Sequence, residues 1–193
     1  MHTFISGALA FMLSGGMAHA ADLGTRMAPS EPAAFNWSGV YLGGGVGYGW
    51  LDDVDYSFTP PLHSEGEDWI VGGHVGYLHQ FGPFVAGLEG EYLQLNINFE
   101  GFPIDVTDSR AMKLRGGFAI DRLLFTGHAG AAYVRTNIGL EDWGWVAGFG
   151  IDYAVTDHFV VGVSYDHMGF EEFDNTMIDA TLDLLKIRAS FKF

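Results

Sequence analysis

Residues 184–193 read Leu-Leu-Lys-Ile-Arg-Ala-Ser-Phe-Lys-Phe, a segment in which apolar and polar side chains alternate almost strictly. One face carries five apolar side chains: Leu185, Ile187, Ala189, Phe191 and Phe193. The opposite face carries three cations, Lys186, Arg188 and Lys192. A period of two places successive side chains on opposite faces of a β-strand. The segment therefore predicts a strand with lipid on one side and a polar interior on the other.

The same alternation recurs along most of the chain. The further segments are Trp37–Trp50, Trp69–Gln80, a strand beginning at Phe84, Ala111–Ile120, Leu123–Thr136, Trp143–Ala154 and Phe159–Met168. Their connections alternate between long (51–68, 97–110, 137–142 and 169–180) and short (81–83, 121–122 and 155–158). Small outer-membrane barrels have long external loops and short periplasmic turns. We predict an all-β fold, an eight-stranded antiparallel up-and-down transmembrane β-barrel.

A soluble, lipocalin-like barrel is the alternative architecture. It would bury its apolar face and expose its charges. Here the face opposite the apolar one is mostly glycine with charged side chains, which is too small and too polar for a water-soluble core. The pattern therefore favours a barrel that faces lipid.

The first 36 residues lack this alternation. Ala8 to Met17 is a short run of apolar and small residues followed by Ala18-His19-Ala20, which is typical of a signal peptide over residues 1–20. The run is too short to anchor the chain as a membrane helix. The Pro- and Ala-rich residues 21–36 predict a periplasmic extension, and residues 37–193 form the predicted outer-membrane barrel.

Composition argues against one class of function and agrees with the predicted fold. The 193 residues carry a net charge of −15, which argues against binding nucleic acid. Cysteine is absent, so no disulfide stabilises the exported chain. The 28 glycines suit a crowded barrel interior, and the 16 phenylalanines suit the aromatic girdles of a barrel in a membrane.

The predicted interior contains matched charges. The inward acids are Glu89, Glu91, Asp152 and Asp166, and the inward bases are Lys113, Arg115, Lys186 and Arg188. Counting from the short-turn ends of the third and fourth strands places Glu89 level with Arg115 and Glu91 level with Lys113. Asp166 lies within reach of Lys186 or Arg188 on the next strand. Because an unpaired buried charge is costly, we interpret the set as a salt-bridge ladder that fills the barrel.

Other uses of these charges remain open at this point. A proton or small-ion path would give a narrow channel. Paired carboxylates also serve as general acid and base, although a cation beside each one disfavours that role here. A lipid hydrolase embedded in the barrel would need a serine and a histidine at the lipid-facing outer rim with an acid behind them. Ser164, Asp166 and His167 lie close in sequence, but alternation places Ser164 and His167 on opposite faces.

The predicted loops add possible ion and cofactor ligands. Their acids are Asp52, Asp53, Asp55, Glu65, Glu67, Glu171, Glu172, Asp174 and Asp179. These acids have no EF-hand spacing, so no metal site is predicted, but divalent cations could link them to the phosphates of lipopolysaccharide. His63 and His167 are potential haem ligands, although anionic loops would repel haem propionates.

Several motifs resemble one family. Trp37-Ser-Gly-Val-Tyr41-Leu-Gly-Gly, Gly87-Leu-Glu-Gly-Glu91, residues 144–157 and a terminal Phe193 are similar to the small surface β-barrels of alphaproteobacterial outer membranes, often labelled "porin family" or OmpA-like. The resemblance covers residues 37–193. It implies outer-membrane lipid and lipopolysaccharide as surroundings, and an assembly machinery that reads the terminal apolar row of Ile187, Phe191 and Phe193.

The resemblance also implies a function class. Members of this family are mostly structural or of unassigned role, and some bind haem. We therefore expect a structural or surface protein without catalysis or cofactor. The alternatives are a haem-binding surface receptor and a narrow ion-conducting channel.

Overall fold

Eight antiparallel strands close into a barrel. The computed structural model describes residues 35–55, 62–98, 105–136, 141–170 and 178–193, with side chains over 35–52, 66–95, 107–136, 141–170 and 180–193. The strands are β1 (Gly39–Asp55), β2 (Leu62–Phe81), β3 (Phe84–Asn98), β4 (Asp105–Ile120), β5 (Leu123–Thr136), β6 (Glu141–Ala154), β7 (Phe159–Phe170) and β8 (Ile178–Lys192). Each strand pairs with its neighbour in the chain, and β8 pairs with β1. The predicted all-β, eight-stranded antiparallel barrel is confirmed.

The strands are longer than the sequence pattern indicates. β1 continues to Asp55, β2 begins at Leu62, β4 begins at Asp105, β6 begins at Glu141 and β8 begins at Ile178. All four predicted long loops (51–68, 97–110, 137–142 and 169–180) are therefore partly strand. Alternation marks only the part of a strand whose outer face is apolar, whereas ladder hydrogen bonds continue into polar sequence. We call the end of the barrel with connections 56–61, 99–104, 137–140 and 171–177 the loop end, and the other the turn end.

The outer face is apolar over most of its height. Trp69 is 69% exposed and Ile187 is 65% exposed, which no soluble barrel would tolerate around its whole circumference. Aromatic side chains concentrate near both ends of this surface. The loop-end belt contains Tyr48, Trp50, Trp69, Tyr92, Tyr133, Trp143 and Trp145. The turn-end belt contains Phe81, Phe84, Phe118, Phe125, Tyr153, Phe159, Phe191 and Phe193. Two such belts are typical of a barrel that crosses a membrane. The described residues include no helix that is long and apolar enough to cross a membrane.

The interior is more apolar than the sequence analysis expected. A loop-end apolar layer contains Leu51, Ile70, Leu93, Leu95, Val134, Val146, Met168, Leu182 and Leu184. A turn-end apolar layer contains Phe35, Trp37, Tyr41, Leu78, Val85, Leu124 and Val160. The expected interior, mostly glycine with charged side chains, is therefore wrong for the two ends of the barrel. Ile70 and Leu78 interrupt the alternation of β2 because both occupy inward positions in these layers.

Residues 35–38 fold against the turn end. Trp37 donates from its backbone N to Gln80 Oε1 at 2.7 Å and from Nε1 to the Asp121 carbonyl at 3.0 Å. Phe35 packs edge-to-face on Trp37 at 4.9 Å, and its backbone N donates to Asp121 Oδ1 at 3.0 Å. The predicted signal peptide and most of the predicted extension lie outside the described residues. Phe35, at the end of that predicted extension, packs as part of the barrel.

Candidate functional site

The eight inward charges lie together between the two apolar layers. Asp166 is 0% exposed and Glu89 is 1% exposed, and the other six are also buried. They form two groups at different heights. We call Lys113, Lys186, Glu91 and Asp166 the lysine ring, which is nearer the loop end. We call Arg115, Arg188, Glu89 and Asp152 the arginine layer, which is nearer the turn end. Each group has two cations and two carboxylates and is formally neutral.

The lysine ring is a closed cycle of alternating charges. Lys186 Nζ lies 2.5 Å from Glu91 Oε1 and 2.7 Å from Asp166 Oδ2. Lys113 Nζ contacts Glu91 Oε2 and lies 2.5 Å from Asp166 Oδ2. His128 Nε2 lies 2.8 Å from Asp166 Oδ1. Each ammonium therefore bridges two carboxylates, which limits the desolvation cost of burying all four charges.

The arginine layer centres on Glu89. Arg115 Nη1 donates to Glu89 Oε2 at 2.9 Å and to Tyr41 Oη at 3.0 Å, while its Nη2 donates to Asp152 Oδ2 at 2.8 Å. Arg188 Nη1 donates to Glu89 Oε1 at 3.2 Å, and its Nη2 contacts Oε2. Tyr41 Oη donates to Glu89 Oε2 at 2.8 Å. A planar guanidinium suits such multiple contacts better than an ammonium does.

The backbone register differs from the one counted from the turns. Glu89 is level with Lys113, and Arg115 is level with Gly87, a shift of two residues from the expected alignment. Strands in a closed barrel are tilted and staggered, which counting from the turns ignores. A shift of two keeps every side chain on its face. Arg115 still contacts Glu89, and Lys113 still contacts Glu91, because the side chains reach diagonal neighbours.

Glycines provide the space for these charges. Seven of the eight charged residues have a glycine directly opposite on a neighbouring strand. The pairs are Glu89 with Gly76, Lys113 with Gly130, Arg115 with Gly87, Asp152 with Gly162, Asp166 with Gly148, Lys186 with Gly47, and Arg188 with Gly45. Glu91 instead lies opposite His74 and Ala111. The glycines on the inward face of β1 therefore leave room for the basic side chains of β8.

Five further inward residues make polar contacts at the site, and the sequence analysis did not assign them to it: Tyr41, Thr126, His128, His74 and Ser190. Tyr41 and His128 contact Glu89 and Asp166 as described above. Thr126 Oγ1 accepts from Arg115 Nη2 at 3.1 Å. His74 Nε2 and Ser190 Oγ share a hydrogen bond of 2.7 Å. Inward parity on a strand was the available signal, but parity does not say which inward groups touch across the barrel.

The structure separates the Ser164, Asp166 and His167 group. Ser164 and Asp166 are buried inside, and His167 lies on the outer face. There His167 Nδ1 lies 2.6 Å from Asp183 Oδ1, which also accepts from Tyr165 Oη at 2.6 Å. The geometry thus offers no nucleophile activated by His167 within this group.

Other predicted ligands are distributed differently. Of the acidic residues assigned to loops, only Asp52 and Glu67 have described side chains, and His63 lies outside the described side chains. Within the described residues, no three His, Asp or Glu side chains are grouped to hold a metal ion. The residues predicted as an assembly signal, Ile187, Phe191 and Phe193, all point outward. Phe191 and Phe193 pack edge-to-face at 5.1 Å.

Comparison with known proteins agrees with this architecture. Residues 7–185 match the profile of the outer membrane protein beta-barrel domain. The chain belongs to this family of outer-membrane β-barrels. Its location is therefore the cell outer membrane, as the alternation in residues 184–193 predicts, and the resemblance to small alphaproteobacterial surface barrels is confirmed.

Curated relatives support the same assignment. The chain is 26% identical over 181 residues to the 25 kDa outer-membrane immunogenic protein of Brucella abortus, covering 86% of this chain and 83% of the relative. It is 28% identical over 149 residues to the protein of that name from Brucella melitensis, covering 72% and 68%.

Solved structures share the fold of this family member. Neisserial surface protein A superposes with a TM-score of 0.53 at 13% identity, over 81% of this chain and 98% of that protein. The outer membrane protease OmpT of Escherichia coli superposes with a TM-score of 0.50 at 9% identity, over 84% and 99%. At such identities the likeness concerns the fold alone.

We predict that Arg115→Ala destabilises the barrel far more than Arg110→Ala. The first change leaves Glu89 and Asp152 buried without a shared partner, a loss of about 3–5 kcal/mol. The second removes an exposed charge worth about 0–1 kcal/mol. Urea unfolding of the refolded protein measures both. The double change Asp152→Asn with Arg115→Met should recover much of the loss, because it removes one charge of each sign and leaves Glu89 paired with Arg188. Equal urea midpoints for Arg115→Ala and wild type would contradict the buried pairing.

We predict that Gly47→Ala destabilises the barrel by about 1–3 kcal/mol. An added Cβ would clash with the backbone oxygen of Leu185 and lie 2.8 Å from Lys186 Cγ, so both the β8 backbone and the lysine ring would have to shift. The matched control is Gly116→Ala on the outer face, where no heavy atom lies within 4 Å of the added carbon. That change should be neutral or slightly stabilising in urea unfolding. The outcome that counts against tight interior packing is an identical midpoint for both variants.

Proposed function

We propose that this protein is a sealed surface barrel of the outer membrane, which acts through its outer surface and loops and neither conducts ions nor catalyses a reaction. The observation that carries the proposal is the layered interior. Two neutral, ion-paired layers lie between two apolar layers. Each of the eight charged side chains contacts at least one of opposite charge, so no unpaired charge is available to attract a permeating ion.

The free space inside the barrel supports a seal. One interior cavity, of about 10 Å³, lies between Glu91, Lys186 and Arg188. Another, of about 20 Å³, lies between Tyr41, Arg115 and the turn-end apolar layer. Each has room for about one water molecule. A conducting pore needs a continuous wet path, and apolar constrictions resist wetting.

The arrangement of the acids favours a role without catalysis. Every interior carboxylate contacts at least one lysine or arginine, so none is poised to accept a proton from a substrate. Among the described residues, His167 and Asp183 form a His–Asp pair on the outer face, at the height of the loop-end aromatic belt. The described residues place no serine hydroxyl in a hydrogen bond with that pair.

We predict that the wild-type protein gives no unitary current steps in planar bilayers. The double change Glu91→Ala with Lys186→Ala keeps the lysine ring neutral but removes its volume, and should raise the frequency of brief current events. The matched control, Glu91→Gln with Lys186→Met, removes the same charges while retaining volume and should stay silent. Stable steps from the wild-type barrel would establish a channel and refute the sealed interior.

The loop end faces the cell exterior in this proposal, because long connections are external in such barrels. The chain has no cysteine, so single cysteines report topology directly. Ser57→Cys, in the β1–β2 connection, should react with a membrane-impermeant maleimide on intact cells. Asp157→Cys, whose native side chain is 77% exposed at the turn end, should react only after the outer membrane is opened. The reverse labelling pattern would invert the orientation.

A further inference from the structure

The cations of this chain are distributed very unevenly. It has nine lysines and arginines. Four belong to the lysine ring and the arginine layer, Arg122 and Lys192 lie at the turn end, and Arg26 precedes the barrel. The remaining two, Arg110 and Arg135, are the cations of the loop end, where the connections contain none.

These two arginines are diagonal neighbours on the outer faces of β4 and β5. Arg110 of β4 is paired in register with Tyr133 of β5, and Asp108 of β4 is paired with Arg135 of β5. Their side chains are 54% and 44% exposed. Asp108 Oδ1 lies 3.4 Å from Arg110 Nε, and Glu141 Oε2 lies 3.9 Å from Arg135 Nε. Such exposed pairs are weak and leave the guanidinium groups able to bind a further anion.

A groove opens beside Arg110. It has a volume of about 420 Å³ and is lined by Arg110, Ala111, Met112, Ala131, Tyr133 and Trp143. The rings of Tyr133 and Trp143 lie 5.2 Å apart along one side. Arg110 lies at the upper edge of the groove, where Tyr133 Oη also donates to Glu141, and the surface below is apolar, at the height of the loop-end aromatic belt.

The groove continues downward as a trough along β5. Gly127, Ala129 and Ala131 point outward in succession and are exposed. Large apolar side chains flank them, with Met112 and Leu114 on β4 and Trp145 and Phe149 on β6. Strands lie about 4.8 Å apart, so the trough between the flanking strands is roughly 10 Å wide. That width suits a single hydrocarbon chain lying along the barrel.

We propose that this surface binds a phosphorylated, acylated glycolipid of the outer leaflet, with its phosphate on Arg110 and Arg135 and an acyl chain in the β5 trough. Charge complementarity selects this occupant. In a chain of net charge −15, the paired arginines are the place on the loop-end surface where an anionic headgroup is attracted. A second copy of the barrel suits the surface less, because stable protein interfaces bury about 800 Å² per partner over a broad face.

Native mass spectrometry of the folded, detergent-solubilised protein tests the proposal. Bisphosphorylated lipid A is the probe, and lipid A with both phosphates removed is its comparison. The wild type should retain one bisphosphorylated lipid A and bind the phosphate-free form roughly tenfold more weakly. The double change Arg110→Gln with Arg135→Gln should weaken binding of the bisphosphorylated form by about the same factor. Ala129→Phe, which fills the trough, should weaken binding of both forms.

The matched control is Arg122→Gln at the turn end. Arg122 is also partly exposed and pairs with Asp157 at 2.7 Å, so its loss changes net charge without touching the groove. Heat-modifiable gel mobility establishes that each variant is folded. Equal lipid binding by wild type and the double glutamine variant overturns the proposal, as does an equal loss in Arg122→Gln. If inorganic phosphate alone displaces the lipid, the two arginines form a site for free anions instead of a lipid site. If the wild type forms a dimer that dissociates in the double glutamine variant, the surface is an interface with a second copy of the barrel instead.

Discussion

A charge inside a narrow barrel must find a partner there, because no bulk water is available to solvate it. The rest of this interior depends on that constraint. Glu89 on β3 accepts from Arg115 on β4 and from Arg188 on β8, and Asp166 on β7 holds lysines from β4 and β8. Two of these four contacts, Glu89 with Arg188 and Asp166 with Lys113, therefore connect strands that are not neighbours in the sheet. Buried pairs of this kind contribute less to net stability than to the uniqueness of one arrangement, since any other register leaves a charge alone.

Space is the second requirement, and it follows from the first. A glycine on the opposite strand leaves room for a long charged side chain, which explains glycine opposite seven of the eight charges. Above and below, leucine, valine and aromatic side chains fill the tapering ends. The neutral ionic centre is thus enclosed between apolar layers, which lowers the dielectric around it and strengthens every pair. Because the interior is filled in this way, only side chains on the outside of the barrel are available to contact a partner.

The outer surface is correspondingly differentiated. Aromatic belts define the height of the membrane, and between them the surface changes from bulky side chains to the small residues of β5. Acidic residues dominate the loop end, with Arg110 and Arg135 as the local exception. The interior ion pairs take up four of the nine lysines and arginines. The net charge of the chain therefore does not show where the few remaining cations lie on the outer surface.

Alternation in the sequence was sufficient for the fold class, the number of strands and the face of each residue, because the side-chain period of a strand is two whatever the partners are. It also identified all eight interior charges by sign and parity. The cross-barrel contacts came only from closure. Arg188 meets Glu89 because β8 returns to β1 and the strands tilt, a geometry that no count along the chain contains. In the sequence, the apolar layers were indicated by Ile70 and Leu78, two apolar residues that interrupt the alternation of β2. What Ile70 and Leu78 pack against depends on residues from all around the barrel, and the tertiary structure alone decides those neighbours.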